Sequence, residues 1–336
     1  MTDPLLTVTD LRKEFRRAGH QPVVAVRDVG LELSAGETLA VVGESGSGKS
    51  TLGRMILGLL PPTSGTIRFA GQDITHVPGK QRRALSKDIQ VIFQDPYASL
   101  NPRQRVEDII REPLDIHRVG TAAQRAARVT ELMDMVALPQ RYRKVYPHEL
   151  SGGLRQRVGI ATALALRPKM IVADEPVSAL DVSVQAQILD LLAELRRETS
   201  VALLFISHDL GVVHQISDRV AVMCQGELIE QGPVEAVYEK PQHPYSAALL
   251  SAIPPADPDA TFDPITIGEA RALPEDDAGC RFRQRCWLAE DICFTSHPSL
   301  TARPSGVAAR CHVSGRAPER WFTRESAAQP ARVGES

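Results

Sequence analysis

The chain has 336 residues, of which 43% are hydrophobic and 24% are charged. These proportions are ordinary for a globular protein and exclude a wholly disordered chain, a collagen and a coiled coil. Lys and Arg number 39 against 41 Asp and Glu, which gives a net charge of −2. The composition therefore lacks the basic excess of a typical nucleic-acid-binding protein, and no nucleic-acid partner is expected. The length favours two domains.

The sequence contains no candidate for a membrane-spanning helix. Its longest uninterrupted apolar run is about Val201–Ile206, far shorter than the roughly 20 residues that a spanning helix needs. The first residues, Met-Thr-Asp-Pro-Leu-Leu, lack the basic and apolar regions of a signal peptide. We therefore expect a chain that stays in the cytosol and meets a membrane only through partners.

Strands and helices alternate through the first 240 residues. The predicted strands are Leu5–Val8, Val24–Leu33, Thr38–Val42, Thr66–Phe69, Ile89–Phe93, Met170–Ala173, Val201–Ile206, Val220–Met223 and Glu227–Glu230, of which the last two form a hairpin. The predicted helical stretches are Lys49–Leu59, Glu107–Leu138, Ser151–Leu166 and one that carries Val184, Ile188 and Leu192 on one face. This alternation, together with unbroken apolar strands, predicts an α/β fold with a parallel sheet.

The composition changes near residue 240, where proline and acidic residues become frequent. Seven prolines lie between residues 241 and 279, and seven acidic residues lie between 257 and 277. Such a stretch is typical of a linker or an irregular surface segment. We therefore predict an α/β domain over residues 1–240, a Pro-rich acidic linker over 241–279, a Cys-rich region over 280–318 and a disordered tail over 319–336.

A glycine-rich segment follows the predicted strand Thr38–Val42. From Gly43 to Ser50 it reads Gly-Glu-Ser-Gly-Ser-Gly-Lys-Ser, which fits the phosphate-binding pattern G-x-x-x-x-G-K-[ST] between a strand and a helix. Glycines let backbone N–H groups converge on a phosphate, and the helix N-terminus adds its positive end. Lys49 is expected to reach the β- and γ-phosphates, and the Ser50 hydroxyl to bind Mg²⁺. The predicted ATP-binding residues here are Gly43, Glu44, Ser45, Gly46, Ser47, Gly48, Lys49, Ser50 and Thr51.

Polar residues follow three more of the predicted strands. Asp174 and Glu175 end one apolar strand, and Gln94 and His208 follow two others. Because ligands bind at the carboxyl ends of strands in α/β folds, we expect these side chains in one cleft. Asp174 and Gln94 would then hold Mg²⁺ together with Ser50, and Glu175 would act as general base on the attacking water. His208 and Gln94 would help to orient the reacting groups.

A second candidate anion site opens the predicted helix Ser151–Leu166. Ser151, Gly152 and Gly153 expose backbone N–H groups at its N-terminus. One chain cannot present both glycine-rich sites to the same phosphate. We therefore expect a dimer in which Ser151, Gly152 and Gly153 face the partner's nucleotide, although an ordinary Ser N-cap is the simpler interpretation of these residues alone.

The complete set of motifs resembles the ATPase subunit of an ABC transporter. Gly43–Ser50 matches the Walker A motif, Gln94 the Q-loop, Leu150–Leu154 the signature motif, Met170–Glu175 the Walker B motif, Ser178–Asp181 the D-loop and His208 the switch histidine. The resemblance covers about residues 5–235. It implies a P-loop NTPase cassette with an antiparallel β subdomain and a helical subdomain over about residues 96–165. It also implies that Phe15 stacks on adenine. Leu154 stands where the family usually has Gln, and we expect it to tune the motif without abolishing it.

Three segments narrow the resemblance to the dipeptide, oligopeptide and nickel importer branch: Gln94–Arg103, Asp174–Gln187 and His243–Leu250. This resemblance implies two transmembrane permease subunits, a second and non-identical ATPase subunit, and an extracytoplasmic solute-binding protein. It implies a peripheral position on the cytoplasmic face of the inner membrane, with the segment Asp95–Arg103 at the permease. Peptides are the expected solute, with nickel or glutathione as alternatives.

Two other classes of protein remain open at this point. A soluble ABC ATPase acting on ribosomes or DNA would have two cassettes or a long coiled-coil insertion, whereas only 56 residues separate Gln94 from Ser151 here. A nucleotide-binding scaffold without turnover would not need Glu175 and His208, which are both present. The sequence therefore favours the transport ATPase.

Four of the five cysteines lie in the tail, and Cys224 lies in the predicted hairpin. The tail cysteines are Cys280, Cys286, Cys293 and Cys311. Their spacing lacks the C-x2-C pairs of most structural zinc sites and suits a cluster whose irons each take one thiolate. The tail also resembles importer ATPase subunits that carry a four-iron four-sulfur cluster. We predict this cluster on the four tail cysteines, with zinc, assisted by His297 or His312, and free thiols as alternatives.

Overall fold

The computed structural model describes residues 3–16, 22–254, 262–269, 273, 277–303 and 306–316. The predicted tail over 319–336 and parts of the predicted linker lie outside these residues. None of the helices in this described part of the chain combines the length and apolar composition of a membrane-spanning helix.

All nine predicted strands are present. The strands are β1 (Leu6–Phe15), β2 (Val23–Leu33), β3 (Thr38–Val42), β4 (Ser64–Phe69), β5 (Gln72–Asp73), β6 (Ile89–Ile92), β7 (Met170–Asp174), β8 (Ala202–Ser207), β9 (Arg219–Cys224), β10 (Glu227–Pro233), β11 (Thr301–Ala302) and β12 (Ala308–Ala309). However, β1 extends seven residues beyond its predicted end, and β5, β11 and β12 were not predicted.

The four predicted helical stretches are present, with two differences described below. The helices are α1 (Lys49–Ile56), α2 (Gly79–Leu85), α3 (Pro96–Ser99), α4 (Val106–Ile116), α5 (Ala122–Met135), α6 (Gly152–Leu164), α7 (Val182–Thr199), α8 (Leu210–Ile216), α9 (Val234–Glu239), α10 (Pro244–Ser251) and α11 (Asp291–Thr295). Of these, α2, α3 and α8 to α11 were not among the predicted helices. Helix α1 ends at Ile56, earlier than predicted, because Gly58 turns the chain with a φ of +64°. The stretch Glu107–Leu138 is divided into α4 and α5 by Gly120 at φ +69° and a capping box on Thr121.

An eight-stranded mixed sheet forms the centre of the fold. Its strand order is β11-β12-β10-β9-β3-β8-β7-β6. The pairs from β9 to β6 are parallel, and the strands beyond β9 are antiparallel. The α/β fold class is confirmed, and the parallel strands direct their carboxyl ends to one edge, where an α/β fold binds ligands.

A second, antiparallel sheet packs against the first. Its order is β2-β1-β4-β5, and its buried side chains share one apolar core with α1 and one face of β3, β7 and β8. The helices α4 to α7 cover the opposite face and form a second core. The Gly43–Thr51 segment therefore begins directly after β3 and continues into α1, two elements that are both packed in these cores.

The predicted linker is wrong over its first residues, because it begins with a buried helix. Pro244 takes the first position of α10, where its missing N–H costs nothing, and His243 Nδ1 accepts the Tyr245 N–H at 3.0 Å. Tyr245 is fully buried in the same core as the helices of the domain. Beyond it, β12 pairs with β10 and so adds the Cys-rich region to the central sheet.

Candidate active site

The glycine-rich loop has a backbone that only glycine can adopt at two places. Gly43 has a φ of +150°, and a Cβ there would lie 2.2 Å from the backbone oxygen of Met223. Gly48 has a φ of +104°, and a Cβ there would lie 2.3 Å from the backbone oxygen of Ala25. Neither backbone oxygen can move without disturbing a strand, so this segment requires glycine for conformational reasons. The loop leads directly into α1, which begins at Lys49.

Lys49 is held inside the loop by two carbonyl groups. Its Nζ donates to the backbone oxygens of Gly43 at 2.7 Å and Glu44 at 2.9 Å, and the residue is only 4% exposed. Burial lowers the pKa of the Lys49 ammonium, while the nearby carboxylates of Glu175 and Asp174 act in the opposite direction. The loop therefore presents a fixed cation where a phosphate would enter.

Two of the predicted magnesium ligands lie next to each other. The Ser50 hydroxyl donates to Asp174 Oδ1 at 2.9 Å. Burial raises the pKa of the Asp174 carboxyl, and the Ser50 hydrogen bond partly offsets this. Hydroxyl and carboxylate oxygens are ligands that Mg²⁺ prefers, so this pair fits the ion. The third predicted ligand, Gln94, instead donates its Nε2 to Glu175 Oε2 at 2.9 Å.

Glu175 is the residue on which the predicted catalytic groups converge. Its Oε2 accepts from Gln94 and lies 3.3 Å from His208 Nδ1. Gln94, Glu175 and His208 follow β6, β7 and β8, which are neighbours in the sheet. Glu175 itself has a φ of +48°, a left-handed conformation that is strained for a side chain with a Cβ. Its backbone N–H is held by the oxygen of Ile206 at 2.9 Å.

These residues line one cleft of about 600 Å³. The predicted residues that line it are Glu44, Ser45, Gly46, Gly48, Lys49, Ser50, Thr51, Gln94, Glu175 and His208. Ala25 of β2 and Leu249 of α10 also line it, and sequence reasoning missed both because no local pattern marks them. Phe15 is not among the lining residues; its ring is 44% exposed at the end of β1, 5.3 Å from Lys13 Nζ. Its contact with adenine stays a prediction.

The second glycine-rich segment lies apart from this cleft. Ser151 is exposed and caps α6, with its Oγ accepting the Leu154 N–H at 3.4 Å. A Cβ on Gly153 would lie 2.6 Å from Val184 Cγ1, so Gly153 allows α6 to pack closely on α7. Sequence reasoning proposed an anion site here and missed this packing role, which only the contact with α7 reveals.

Two of the four tail cysteines are joined through their backbones, since the Cys280 N–H donates to the oxygen of Cys293 at 2.8 Å. Burial raises the pKa of Cys280 to about 11 and that of Cys311 to about 12. Within the described ranges, no group of three or more His, Cys, Asp or Glu side chains is placed to hold a metal ion. The predicted metal site therefore stays a prediction.

The two histidines considered as zinc ligands are engaged elsewhere. His297 Nε2 lies 2.9 Å from Glu227 Oε2, and His312 Nε2 lies 2.9 Å from the backbone oxygen of Ser296. Cys224 is buried at the end of β9, where burial raises the pKa of its thiol. None of these contacts supports the zinc alternative.

Comparison with protein families agrees with the site and with the tail. The ABC transporter family matches residues 26–178, and the oligopeptide/dipeptide transporter C-terminal region matches residues 229–293. A probable peptide ABC transporter ATP-binding protein, y4tS of Sinorhizobium fredii, is 48% identical over 95% of this chain and 92% of its own length. The di/tripeptide transport ATP-binding protein DppF of Pseudomonas aeruginosa is 46% identical over 89% of this chain and 94% of its own length.

Solved structures show the same fold. The dimeric structure of MJ0796, a bacterial ABC transporter cassette, superposes with a TM-score of 0.63 at 29% identity, covering 68% of this chain and 98% of that chain. CbiO1 of Clostridium perfringens, part of an ABC transporter complex, superposes with a TM-score of 0.64 at 28% identity, covering 70% of this chain and 91% of that chain. From the motifs, the fold and the near full-length relatives, this chain belongs to the ATP-binding subunits of ABC transporters, in the oligopeptide and dipeptide branch.

Proposed function

We propose that this chain hydrolyses ATP to power the import of peptides through an ABC transporter. The observation that carries the proposal is the convergence of Lys49, Ser50 and the Glu175 cluster in one cleft at the carboxyl edge of the sheet, where Ser50 also donates to Asp174. Peptide as the solute is supported by relatives named for peptide or di/tripeptide transport. Nickel and glutathione remain outcomes of the test below.

Binding of ATP uses groups that the loop already orients. The N–H groups between Gly43 and Thr51 and the ammonium of Lys49 would hold the β- and γ-phosphates. Ser50 and Asp174 would hold Mg²⁺, which supplies positive charge to the phosphate oxygens when bound. Lys49 keeps two carbonyl contacts before ATP arrives, so little reorganisation of its side chain is required.

Hydrolysis depends on the orientation of Glu175. Its carboxylate would take a proton from the water that attacks the γ-phosphate. Gln94 and His208 contact the same carboxylate oxygen, so they would position the base and the water. Lys49 and the loop N–H groups would stabilise the charge that develops on the phosphate, which is the main demand of phosphoryl transfer.

The signature segment would complete the site of a second ATPase subunit. Ser151 is exposed and does not line the cleft of its own chain. Both properties are expected of a residue that contacts the nucleotide of a partner subunit. A related cassette, MJ0796, is dimeric, and one of its structures is described as a post-hydrolysis state bound to ADP and Pi. We propose the same pairing here, with a non-identical second subunit and ATP between the two chains.

The segment after Gln94 would transmit closure to two permease subunits at the cytoplasmic face of the membrane. Tyr97 is 65% exposed, and the guanidinium of Arg155 lies 3.6 Å from the centre of its ring. Because Arg155 belongs to α6, this contact joins the exposed segment to the helix that carries Ser151. A solute-binding protein outside the membrane would deliver the peptide.

The test is transport by the assembled complex. The complex with its permease and binding proteins is reconstituted in vesicles, and ATP hydrolysis is measured with dipeptides, longer peptides, glutathione and Ni²⁺. We expect stimulation by peptides together with peptide uptake. Stimulation by Ni²⁺ or glutathione alone would reject peptide as the solute, and hydrolysis that is indifferent to the permease would reject the transport role.

We further propose that the four tail cysteines hold a four-iron four-sulfur cluster with a structural or regulatory role. Four of the five cysteines of the chain lie between residues 280 and 311, and metal binding would stabilise a segment with so little regular structure. In such a cluster each thiolate binds a different iron, so the sulfurs lie further apart than around a single zinc ion. Cys280, Cys286, Cys293 and Cys311 supply the four thiols that such a cluster requires.

Anaerobic purification tests the cluster directly. The protein should be brown and contain about four irons per chain. Replacing Cys286 by Ser should remove the colour, while the matched control Cys224→Ser should keep it. Colourless protein with stoichiometric zinc, or with no metal, would contradict the cluster.

A further inference from the structure

The C-terminal part of the chain contacts the phosphate-binding loop at one residue, Glu44. The backbone N–H of Glu44 donates to the hydroxyl of Tyr245 at 2.9 Å. The Glu44 carboxylate accepts from Nη2 of Arg285 at 2.6 Å. Tyr245 lies on α10, and Arg285 lies between two of the tail cysteines. Both the backbone and the side chain of a loop residue are therefore held from beyond residue 240.

The buried charge of Arg285 is compensated by its ion pair with Glu44. The Arg285 side chain is only 5% exposed, and within the described part of the chain its Nε and Nη1 have no hydrogen-bond partner. The guanidinium lies 5.4 Å from the ring centre of Phe282 and 5.8 Å from that of Tyr245. Separating Glu44 from Arg285 would leave a buried cation without its carboxylate, which is strongly unfavourable. The position of Arg285 therefore constrains the position of Glu44.

Glu44 in turn orients the groups that would meet a nucleotide. Its carbonyl accepts from Lys49 Nζ at 2.9 Å and from the Ser47 N–H at 3.2 Å. A displacement of Glu44 would thus displace the ammonium and one of the turns of the loop. Contacts connect Arg285 to Lys49 through a single intervening residue.

We propose that Arg285 and Tyr245 are positioning residues for the phosphate-binding loop, so that the Cys-rich region sets the affinity of the chain for nucleotide. The proposal rests on the proposed role of Gly43–Thr51 in ATP binding. The coupling is reciprocal, because a region that favours nucleotide binding is itself favoured by bound nucleotide. Loss of the Arg285 contact should therefore weaken nucleotide binding at a loop more than 200 residues away in the sequence.

Two arginines of the same segment provide a matched pair of variants. Arg285→Gln removes the contact with Glu44. Arg283→Gln removes an arginine that is also buried, at 9% side-chain exposure, but pairs with Asp277 at 2.5 Å inside the C-terminal region. MgATP affinity of the full-length chain is measured by titration. We expect Arg285→Gln to raise the dissociation constant about tenfold, within the range of typical site-to-site couplings, and Arg283→Gln to leave it within twofold.

Hydrogen exchange of the backbone around residues 280–286 provides the reciprocal measurement. MgATP should slow exchange there in the unmodified chain and in Arg283→Gln, but not in Arg285→Gln. A readout of this kind separates positioning from a general loss of stability, because both variants remove a buried ion pair. Equal weakening of affinity by both variants, or unchanged affinity in Arg285→Gln, would overturn the proposal.

A variant outside the Cys-rich region and a double variant protect the test against misfolding. Tyr245→Phe keeps the buried ring and removes only the hydroxyl that accepts the Glu44 N–H, so we expect a severalfold loss of affinity. Glu44→Gln combined with Arg285→Gln should cost no more than the larger single change, whereas additive effects would contradict a shared contact. If the unmodified chain does not bind MgATP, the proposed function fails, which is distinct from failure of this inference.

Discussion

The chain contains two glycine-rich segments at helix starts, and they use glycine for different reasons. In the loop before α1, Gly43 and Gly48 have positive φ values and face backbone oxygens of neighbouring strands. In the first turn of α6, Gly153 faces a side chain, Val184. Backbone oxygens of a strand cannot give way, whereas a side chain can be shortened. Glycine is therefore required in the first segment by the backbone conformation of the loop, and in the second segment by the close packing of two helices.

The two segments also differ in how complete they are. The loop before α1 surrounds Lys49, a cation that is 4% exposed and lines one cleft together with Ser50 and Glu175. Ser151, by contrast, is exposed, and it is not one of the residues that line that cleft. One segment is a phosphate site built within the chain, and the other has the form of a half-site. The following predictions separate the two.

The largest effect is expected from Glu175→Gln. This change removes the proposed base but keeps the size of the side chain, so hydrolysis by the assembled transporter should fall by about 10²- to 10⁴-fold. ATP affinity should be unchanged, because the loop and Lys49 are intact. Glu198→Gln alters an exposed carboxylate at the far end of α7 and should leave hydrolysis unchanged. Near-normal hydrolysis in Glu175→Gln would reject its role as base.

Lys49→Ala should act on binding instead of the hydrolytic step. The change removes a charge-assisted contact with the phosphates, typically about 1.5–3 kcal/mol, and leaves two loop carbonyls without their donor. We expect the dissociation constant for MgATP to rise about 10- to 100-fold, measured by titration of the full-length chain. Lys169→Ala removes a 56% exposed lysine paired with Asp88 and is the control. Unchanged affinity in Lys49→Ala would show that the loop amides alone hold the nucleotide.

Most of the cleft could be predicted from the sequence because its signals are local. Strand β3 was predicted with both of its ends correct, and Gln94, Glu175 and His208 each follow an apolar strand. Parallel neighbours then place all three at the same edge. Each of these site residues is a polar residue directly after an apolar strand, and such a pattern can be recognised within a few positions of the sequence.

The rest depends on contacts between distant parts of the chain. Glu44 meets Tyr245 and Arg285 across 201 and 241 positions, and nothing near Glu44 in the sequence marks such partners. The prolines after residue 240 predicted an irregular linker, but Pro244 starts a buried helix. Proline breaks a helix interior and suits a first turn, so composition alone could not distinguish the two cases.

A smaller effect, on stability, is expected from Gly153→Ala. The new Cβ would meet Val184 Cγ1 at 2.6 Å, and a β-branched side chain in a helix has little freedom to rotate. We expect a loss of about 1 kcal/mol or more in the free energy of unfolding, measured by denaturant titration. MgATP affinity of the chain should not change, because Gly153 is not part of the cleft.

The same helix supplies a control for this change. A Cβ on Gly159 would meet nothing within 4 Å, so Gly159→Ala should stabilise the chain by up to about 1 kcal/mol through helix propensity. In a Val184→Ala background, Gly153→Ala should also become stabilising. A loss that persists in that background would show that space at Val184 is not what requires glycine.

The last prediction concerns pH and a region outside both glycine-rich segments. Glu230 on β10 is fully buried and accepts the backbone N–H groups of Gln242 at 2.7 Å and His243 at 3.0 Å. Burial raises the pKa of Glu230 to about 7 from 4.5, and burial lowers the pKa of His243 to about 3 from 6.5. These two shifts have opposite consequences for stability between pH 4.5 and 6.5.

In that window the folded chain keeps a proton on Glu230 that the unfolded chain loses, so this residue makes stability fall as pH rises. The unfolded chain protonates His243 while the folded chain does not, so the imidazole makes stability rise with pH. The two slopes nearly cancel in the unmodified protein. Glu230→Gln removes only the falling contribution, so the free energy of unfolding should rise more steeply with pH, by up to about 1.4 kcal/mol per pH unit. Glu239→Gln, at an exposed carboxylate of α9, should keep the original slope, and an unchanged slope in Glu230→Gln would mean that its carboxyl titrates alike in the folded and unfolded chains.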